Sequence, residues 1–293
     1  VKHVLFFVVL TLLLNLGATE EVVFQKDVVY GTTKAKEENN VKVDGVELKL
    51  DLARPATGDG PFPCVLCIHG GGWATGSKSG YDTMIKDFAK KGYVAATIEY
   101  RFAPMYKFPA QIEDVKCAVR YLRAHAKELH INTEKFGAMG ESAGGHLSLM
   151  LGLMNKEDGC EGEAGCSDQS SKVQCVVNYF GPGDFLGTTE LNPTGRFIVA
   201  NFLGTADVKN PIVAKASPAT YIDKNDAPVL TFHGSVDPLV PLKMSEHLHE
   251  LLKKAGVEEK LEIQKDLGHG WRGKEMDRTM KETVEFFDKH LKN

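Results

Sequence analysis

Apolar and polar residues alternate along residues 28–33 and again along 46–53, with the turn-forming pair Asp44-Gly45 just ahead of the second run. A period of two predicts strands, and the tight turn predicts that they open a sheet antiparallel to one another. Beyond them the period changes. Short apolar runs at residues 64–68, 94–99, 135–139, 173–179, 229–233 and 261–265 alternate with amphipathic stretches, the order of parallel strands joined by crossover helices. Ile112, Val115, Val119, Leu122 and Ala126 recur at three- and four-residue steps, as do Met276, Met280, Val284, Phe287 and Leu291; each set marks a helix face that packs on the sheet. Residues 184–226 break the alternation with Pro193, Pro211 and Pro218 and carry only short helical runs. They are expected to form an insertion over the carboxyl-terminal edge of the sheet. The predicted class is α/β, a mostly parallel central sheet with an antiparallel N-terminal start and helices on both faces.

Composition narrows what such a sheet does. The 293 residues are 43% hydrophobic and 25% charged, enough to fill and clothe one large core, and no linker or repeat divides residues 19–293. A formal charge of -4 and a pI near 6.2 provide no cationic face for phosphates, which argues against nucleic acid as a partner. Lys2 and His3 precede an apolar run over residues 4–14 and the small pair Gly17-Ala18. That run is shorter than the roughly 20 residues a membrane span needs, so residues 1–18 are expected to be a signal peptide that directs the chain to the periplasm or outside the cell, with an uncleaved anchor as the alternative. Of the six cysteines, Cys64, Cys67, Cys117 and Cys175 fall at inward positions of strands and a helix, while Cys160 and Cys166 flank a glycine-containing loop that a disulfide is able to close. No histidine stands at zinc-ligand spacing from them, and no metal is expected.

Gly140-Glu141-Ser142-Ala143-Gly144 follows one predicted strand and precedes an apolar helix. A sharp strand-to-helix turn that projects a serine needs small residues two positions to either side, where side chains would collide. Upstream, His69-Gly70-Gly71-Gly72-Trp73 ends another strand; backbone N–H groups in a glycine run approach a ligand unobstructed. Gly71, Gly72 and Ala143 are the candidate donors for an oxyanion hole. A serine hydroxyl needs an imidazole to take its proton and a carboxylate to orient that imidazole. In the order Ser, acid, His, the acid follows a later strand and the histidine the last one. Asp237, after strand 229–233, and His269, between the final strand and the final helix, occupy those places. Asp184 is the rival acid. His247, His249 and His290 are expected on the solvated surface and His146 in a structural role.

These motifs resemble the hormone-sensitive-lipase-like esterases, as do Tyr100-Arg101-Phe102-Ala103-Pro104, residues 108–114, Ala216-Ser217-Pro218 and His233-Gly234. The start of the chain departs from that pattern. Many of those enzymes carry a helical N-terminal cap, whereas strands are predicted here, and in this the chain is more similar to bifunctional feruloyl and acetylxylan esterases. The resemblance implies an α/β-hydrolase fold and a serine carboxylesterase acting through an acyl-enzyme on short acyl or carbohydrate-linked esters, without cofactor. It also implies loop-holding roles for Arg101 and Asp114. A peptidase of the prolyl-oligopeptidase type and a non-catalytic α/β-hydrolase binding protein are the competing functions.

Overall fold

The computed structural model describes residues 21–38, 41–43, 45–186 and 191–293. The expected leader and Asp44 lie outside the described residues. The first strand, β1 (Val22–Thr32), is followed by a small hairpin, β2 (Lys36–Glu38) and β3 (Val41–Val43), and then by β4 (Glu47–Pro55). The remaining strands are β5 (Phe62–Ile68), β6 (Val94–Ile98), β7 (Ile131–Glu141), β8 (Cys175–Tyr179), β9 (Val229–Gly234) and β10 (Glu259–Gln264). The helices are α1 (Asp82–Lys90), α2 (Ala110–Ala124), α3 (Ala126–Leu129), α4 (Ala143–Leu153), α5 (Pro193–Leu203), α6 (Pro211–Lys215), α7 (Leu242–Ala255) and α8 (Lys274–Phe287).

Eight strands make one sheet in the order β1-β4-β6-β5-β7-β8-β9-β10. Strand β4 runs antiparallel to both its neighbours, and every pairing from β6 to β10 is parallel. The antiparallel start is therefore present, but β1 begins well before residue 28. Its pairing with β4 shifts register between Gln25 and Val28, and Asp27 there takes a φ of 55°. Such a bulge turns the side chains after it to the opposite face, so the alternation does not carry through the strand's first half. Strand β7 also starts earlier than its apolar run, since Asn132 to Lys135 are polar and exposed or half-buried and give no apolar signal.

Alternation along the central strands divides the core in two. Cys64, Leu66 and Ile68 of β5 join Leu50, Leu52, Ala96 and Ile98 on one face, against Ile112, Val115, Val119 and Leu122 of α2 and Leu147 and Leu151 of α4. Val65 and Cys67 point the other way, towards Ile85 and Phe88 of α1 and Phe287 of α8. Full burial of each large side chain contributes about 2 kcal/mol, which is why both predicted helix stripes lie on the sheet. Ala126 is set apart from its stripe by a break at His125 and belongs to α3.

Cys160 and Cys166 are free thiols. Their loop is held by Glu161, whose carboxylate binds Lys116 at 2.8 Å and Arg120 at 2.9 Å, both cations being buried in α2. Arg101 clasps Asp114 through Nε and Nη2 at 2.7–3.0 Å, and the Arg101 N–H adds a bond of 2.8 Å. This joins the end of β6 to α2 in the loop-holding role expected of the pair. Among the described residues no helix is long and apolar enough to cross a membrane.

Candidate active site

At the carboxyl end of β7 the chain turns into α4 through Ser142, which has φ 52° and ψ -117°. A non-glycine residue there costs about 1–3 kcal/mol and persists only where its surroundings over-determine it. They do so through contact. A Cβ on Gly140 would lie 2.4 Å from the carbonyl carbon of Gly144, and one on Gly144 would lie 2.0 Å from the Ile68 oxygen. The Ser142 N–H donates to Tyr179 O at 2.8 Å, tying the turn to β8.

Two later loops bring the other groups to this turn. Gly234 ends β9, and a Cβ on it would meet the Gly268 oxygen at 2.2 Å, so its lack of a side chain lets the loop after β10 cross directly over it. Val236 N–H donates to Leu267 O at 3.0 Å and Ser235 N–H to Gln264 O at 2.9 Å, lacing the two loops together. His269 Nε2 then lies 2.9 Å from Ser142 Oγ, and its Nδ1 lies 2.7 Å from Asp237 Oδ2. The other Asp237 oxygen accepts the N–H groups of Leu239 and Val240 at 2.8 and 3.0 Å. Burial would raise this carboxyl, yet donors from His233 and His269 and the Val240 N–H outweigh it and hold Asp237 well below the usual carboxylate range. It stays ionised and acceptor-only, which places the imidazole proton on Nδ1 and leaves Nε2 free to receive the serine proton.

The glycine loop abuts this line of side chains. Gly71, Gly72 and Trp73 have consecutive positive φ values of 108°, 59° and 58°, a path that glycine takes freely and tryptophan does not. Trp73 is locked instead by packing: its ring stacks on Phe202 of α5 at 4.1 Å and its indole N–H donates to His146 Nδ1 at 3.2 Å. His146 Nε2–H donates in turn to Ala216 O at 2.8 Å. Burial pushes His146 down to about 4, against the pull of the Ala216 bond, and keeps the ring neutral. Ala143 opens α4, so its N–H belongs to the first turn, whose donors have no acceptor within the helix.

Ser142 sits where two cavities meet. An open cleft of about 1040 Å³ is lined by Gly71, Glu141, Phe197, Asn201, His269 and Arg272, among others. On the other side lies a pocket of about 60 Å³, walled by Trp73, Pro182, Phe185, Leu191, Ile198 and Leu239. Gly72, Ser142, Ile198 and Leu239 border both.

The structure thus brings together Ser142, Asp237 and His269 and sets Gly71 and Gly72 beside them. It leaves the rival acid elsewhere: Asp184 Oδ2 pairs with His247 at 3.0 Å. His247 is exposed as expected, but His249 is buried and bound to Glu259 at 2.6 Å, and His290 is largely covered beside Glu258. Both fall on outward-reading stretches of sequence; His249 is covered at the start of β10, a non-local contact that helical position does not reveal, and His290 lies against Phe286 and Glu258. Ile198 and Leu239 escaped the sequence analysis, since a single aliphatic residue in an irregular segment carries no local signal for a pocket wall.

The chain is similar to proteins named as esterases. The chain is 30% identical over 201 residues to a Mycobacterium tuberculosis protein named Probable carboxylic ester hydrolase LipM, covering 66% of this chain and 46% of that protein. Esterase LipC from the same organism is 30% identical, with 66% and 49% covered. The chain spans about half the length of these curated relatives. Among solved structures, a truncated carbohydrate esterase from gut microbiota superposes with a TM-score of 0.80 at 26% identity, over 92% of this chain and 97% of that one. The Thermogutta terrifontis esterase Est2 gives 0.70 at 26%, over 93% and 92%. The BD-FAE family matches residues 50–252, a span that holds the glycine loop, Ser142 and Asp237 and makes up more than half of the sequence; the chain belongs to that family.

Proposed function

We propose that this chain is a serine carboxylesterase that removes small acyl groups, of the acetyl type, from larger alcohols through an acyl-enzyme on Ser142. The observation that carries the reading is the Ser142–His269–Asp237 line standing at the junction of a very small apolar pocket and a wide cleft. Ser142 Oγ attacks the ester carbonyl as His269 Nε2 takes its proton, and Asp237 stabilises the imidazolium. The carbonyl oxygen becomes an alkoxide held by the N–H groups of Gly71, Gly72 and Ala143, each contributing about 3 kcal/mol to the transition state. His269 then protonates the departing alcohol, and a water repeats the cycle from the cleft side.

The two cavities divide the substrate. A pocket of about 60 Å³ is well below the about 150 Å³ of a cavity that takes up benzene, which leaves room for a short acyl chain and not for a feruloyl group. The leaving alcohol belongs in the open cleft, which has space for a sugar residue. The likeness to a carbohydrate esterase supports a carbohydrate-linked alcohol, and the apolar run over residues 4–14 supports action in the periplasm or outside the cell.

The test is one purified sample assayed on acetyl, butyryl, octanoyl and feruloyl esters of a single alcohol, with matched amides, and treated with a fluorophosphonate. Stoichiometric labelling at Ser142 and a kcat/KM that falls steadily from acetyl are expected. Faster amide cleavage, no labelling, or an optimum at octanoyl or feruloyl would reject the assignment.

A further inference from the structure

His233 is the last residue but one of β9 and has no exposed surface, behind the acid loop rather than in the cleft. Its Nε2 lies 2.9 Å from the Val240 carbonyl oxygen and 3.5 Å from Asp237 Oδ2, while Nδ1 lies 2.8 Å from Ser245 Oγ of α7. A carbonyl only accepts, so the proton is on Nε2, and Nδ1 receives the Ser245 hydroxyl hydrogen. Both ring nitrogens thereby have partners. The Nε2–H closes the turn from Asp237 to Val240 and leans towards Oδ2, the same oxygen that receives His269 Nδ1 at 2.7 Å. The turn's inner side is held by Oδ1 through the Leu239 and Val240 N–H groups, so His233 braces it from outside.

We propose that His233 is a positioning residue for the reaction: its Nε2–H, directed by Ser245, clamps the turn at residues 237–240 and shares Asp237 Oδ2 with His269. The line of interacting side chains then runs Ser142, His269, Asp237, His233, Ser245. This rests on the triad reading above. Its chemical consequence follows from charge. A carboxylate oxygen that receives two donors presents less unshared negative charge to His269 than one that receives a single donor. Loss of the His233 donor concentrates that charge on His269 and favours its protonated form, which cannot take the serine proton. The acidic limb of the kcat/KM profile should therefore move to higher pH. Asp237 and Glu141 are coupled to His269 and Arg272 lines the same cleft, whereas His233 lies beside Asp237, so a change at His233 reaches His269 through Asp237.

The experiment compares His233→Gln, which keeps an N–H near the place of Nε2, with His233→Met, which fills similar space without a donor. The readouts are kcat and KM on an acetyl ester across pH, with melting temperature alongside. The Met variant is expected to lose about tenfold in kcat with KM changed less than about twofold, and its acidic limb to rise by about half a pH unit. The Gln variant should recover most of the rate and the wild-type limb. A folded Met variant with wild-type kcat and limb overturns the proposal, as does a Gln variant as impaired as Met at equal melting temperature. Should the Met variant not fold, the imidazole nitrogen NMR spectrum of the wild-type enzyme must show His233 with its proton on Nε2, facing Val240 O and Asp237 Oδ2; a proton on Nδ1 alone is equally adverse. A wild-type protein without esterase activity would sink the triad itself and His233 with it, an outcome distinct from an active enzyme indifferent to His233.

Discussion

Replacing Asp237 by Asn tests the chemistry of the site with little change in shape. Oδ1 of Asp237 is held by two backbone N–H groups at 2.8 and 3.0 Å, so the amide oxygen must take that place. The reverse orientation would point NH2 at two donors and leave them unpaired, at about 1–3 kcal/mol each. The NH2 is thus directed at His269 Nδ1, where the carboxylate oxygen accepted at 2.7 Å. Nδ1 must now accept, the ring proton moves to Nε2, and Nε2 presents a hydrogen to Ser142 Oγ at a distance of 2.9 Å instead of a lone pair. The nucleophile loses its base, and the NH2 also faces the His233 Nε2–H that leans towards Oδ2. By analogy with the wrong-tautomer effect in serine proteases the expected loss is about 10³–10⁴-fold in kcat, which corresponds to about 4–5.5 kcal/mol. KM should stay nearly constant, because neither cavity is touched. The assay is steady-state hydrolysis of an acetyl ester at saturating substrate, with the rate of fluorophosphonate labelling as an independent measure of nucleophilicity. The control is Asp184→Asn, whose carboxylate serves His247 and whose rate should stay near wild type. A loss below about tenfold in Asp237→Asn, or a larger one in Asp184→Asn, would refute the assignment of the acid.

The remaining expectations concern the acyl pocket, a buried histidine and an ion cluster. Ile198→Ala removes a wall shared by both cavities and should raise the butyrate-to-acetate ratio of kcat/KM by about tenfold or more, since one methylene in a tight apolar pocket discriminates by that much; an unchanged ratio would show that the acyl group binds elsewhere. His146 is pushed from 6.5 to about 4 by burial, so between those values the unfolded chain binds the proton that the native protein refuses. Native stability is then lost as pH falls from 6.5 to 4, by about 3 kcal/mol more in the wild type than in His146→Gln, whose amide can still accept from Trp73 and donate to Ala216. Denaturant unfolding at the two pH values measures the difference, and parallel curves would contradict it. Glu161→Gln leaves Lys116 and Arg120 buried without their counter-charge and should destabilise by about 3 kcal/mol with kcat unchanged, as read from a urea titration and an assay on the same sample; a midpoint like that of the wild type would mean the pairs are dispensable.

How much of this was legible in the chain depended on how local the cause was. The strands β5 to β9, the helix faces of α2 and α8 and the turn at Ser142 follow from periodicity and from glycine spacing, because side-chain direction repeats with the backbone and steric conflict in a tight turn involves near neighbours. Asp237 and His269 were found by their order relative to strands, since a parallel sheet delivers the ends of its strands to one rim. The first half of β1 was hidden by a bulge that breaks the period, and the burial of His249 by a strand ten residues away.

Chain order alone was enough to mark Ser142, Asp237 and His269 as candidates that meet and to indicate the class of fold, for each is a property of a short stretch or of the succession of stretches. The size of the small pocket beside Ser142, the loop held by Glu161 rather than by a disulfide, and the place of His233 behind Asp237 arise where segments far apart in sequence pack together. Distance and volume at such contacts are set by the packed whole, and no single stretch of the chain carries them.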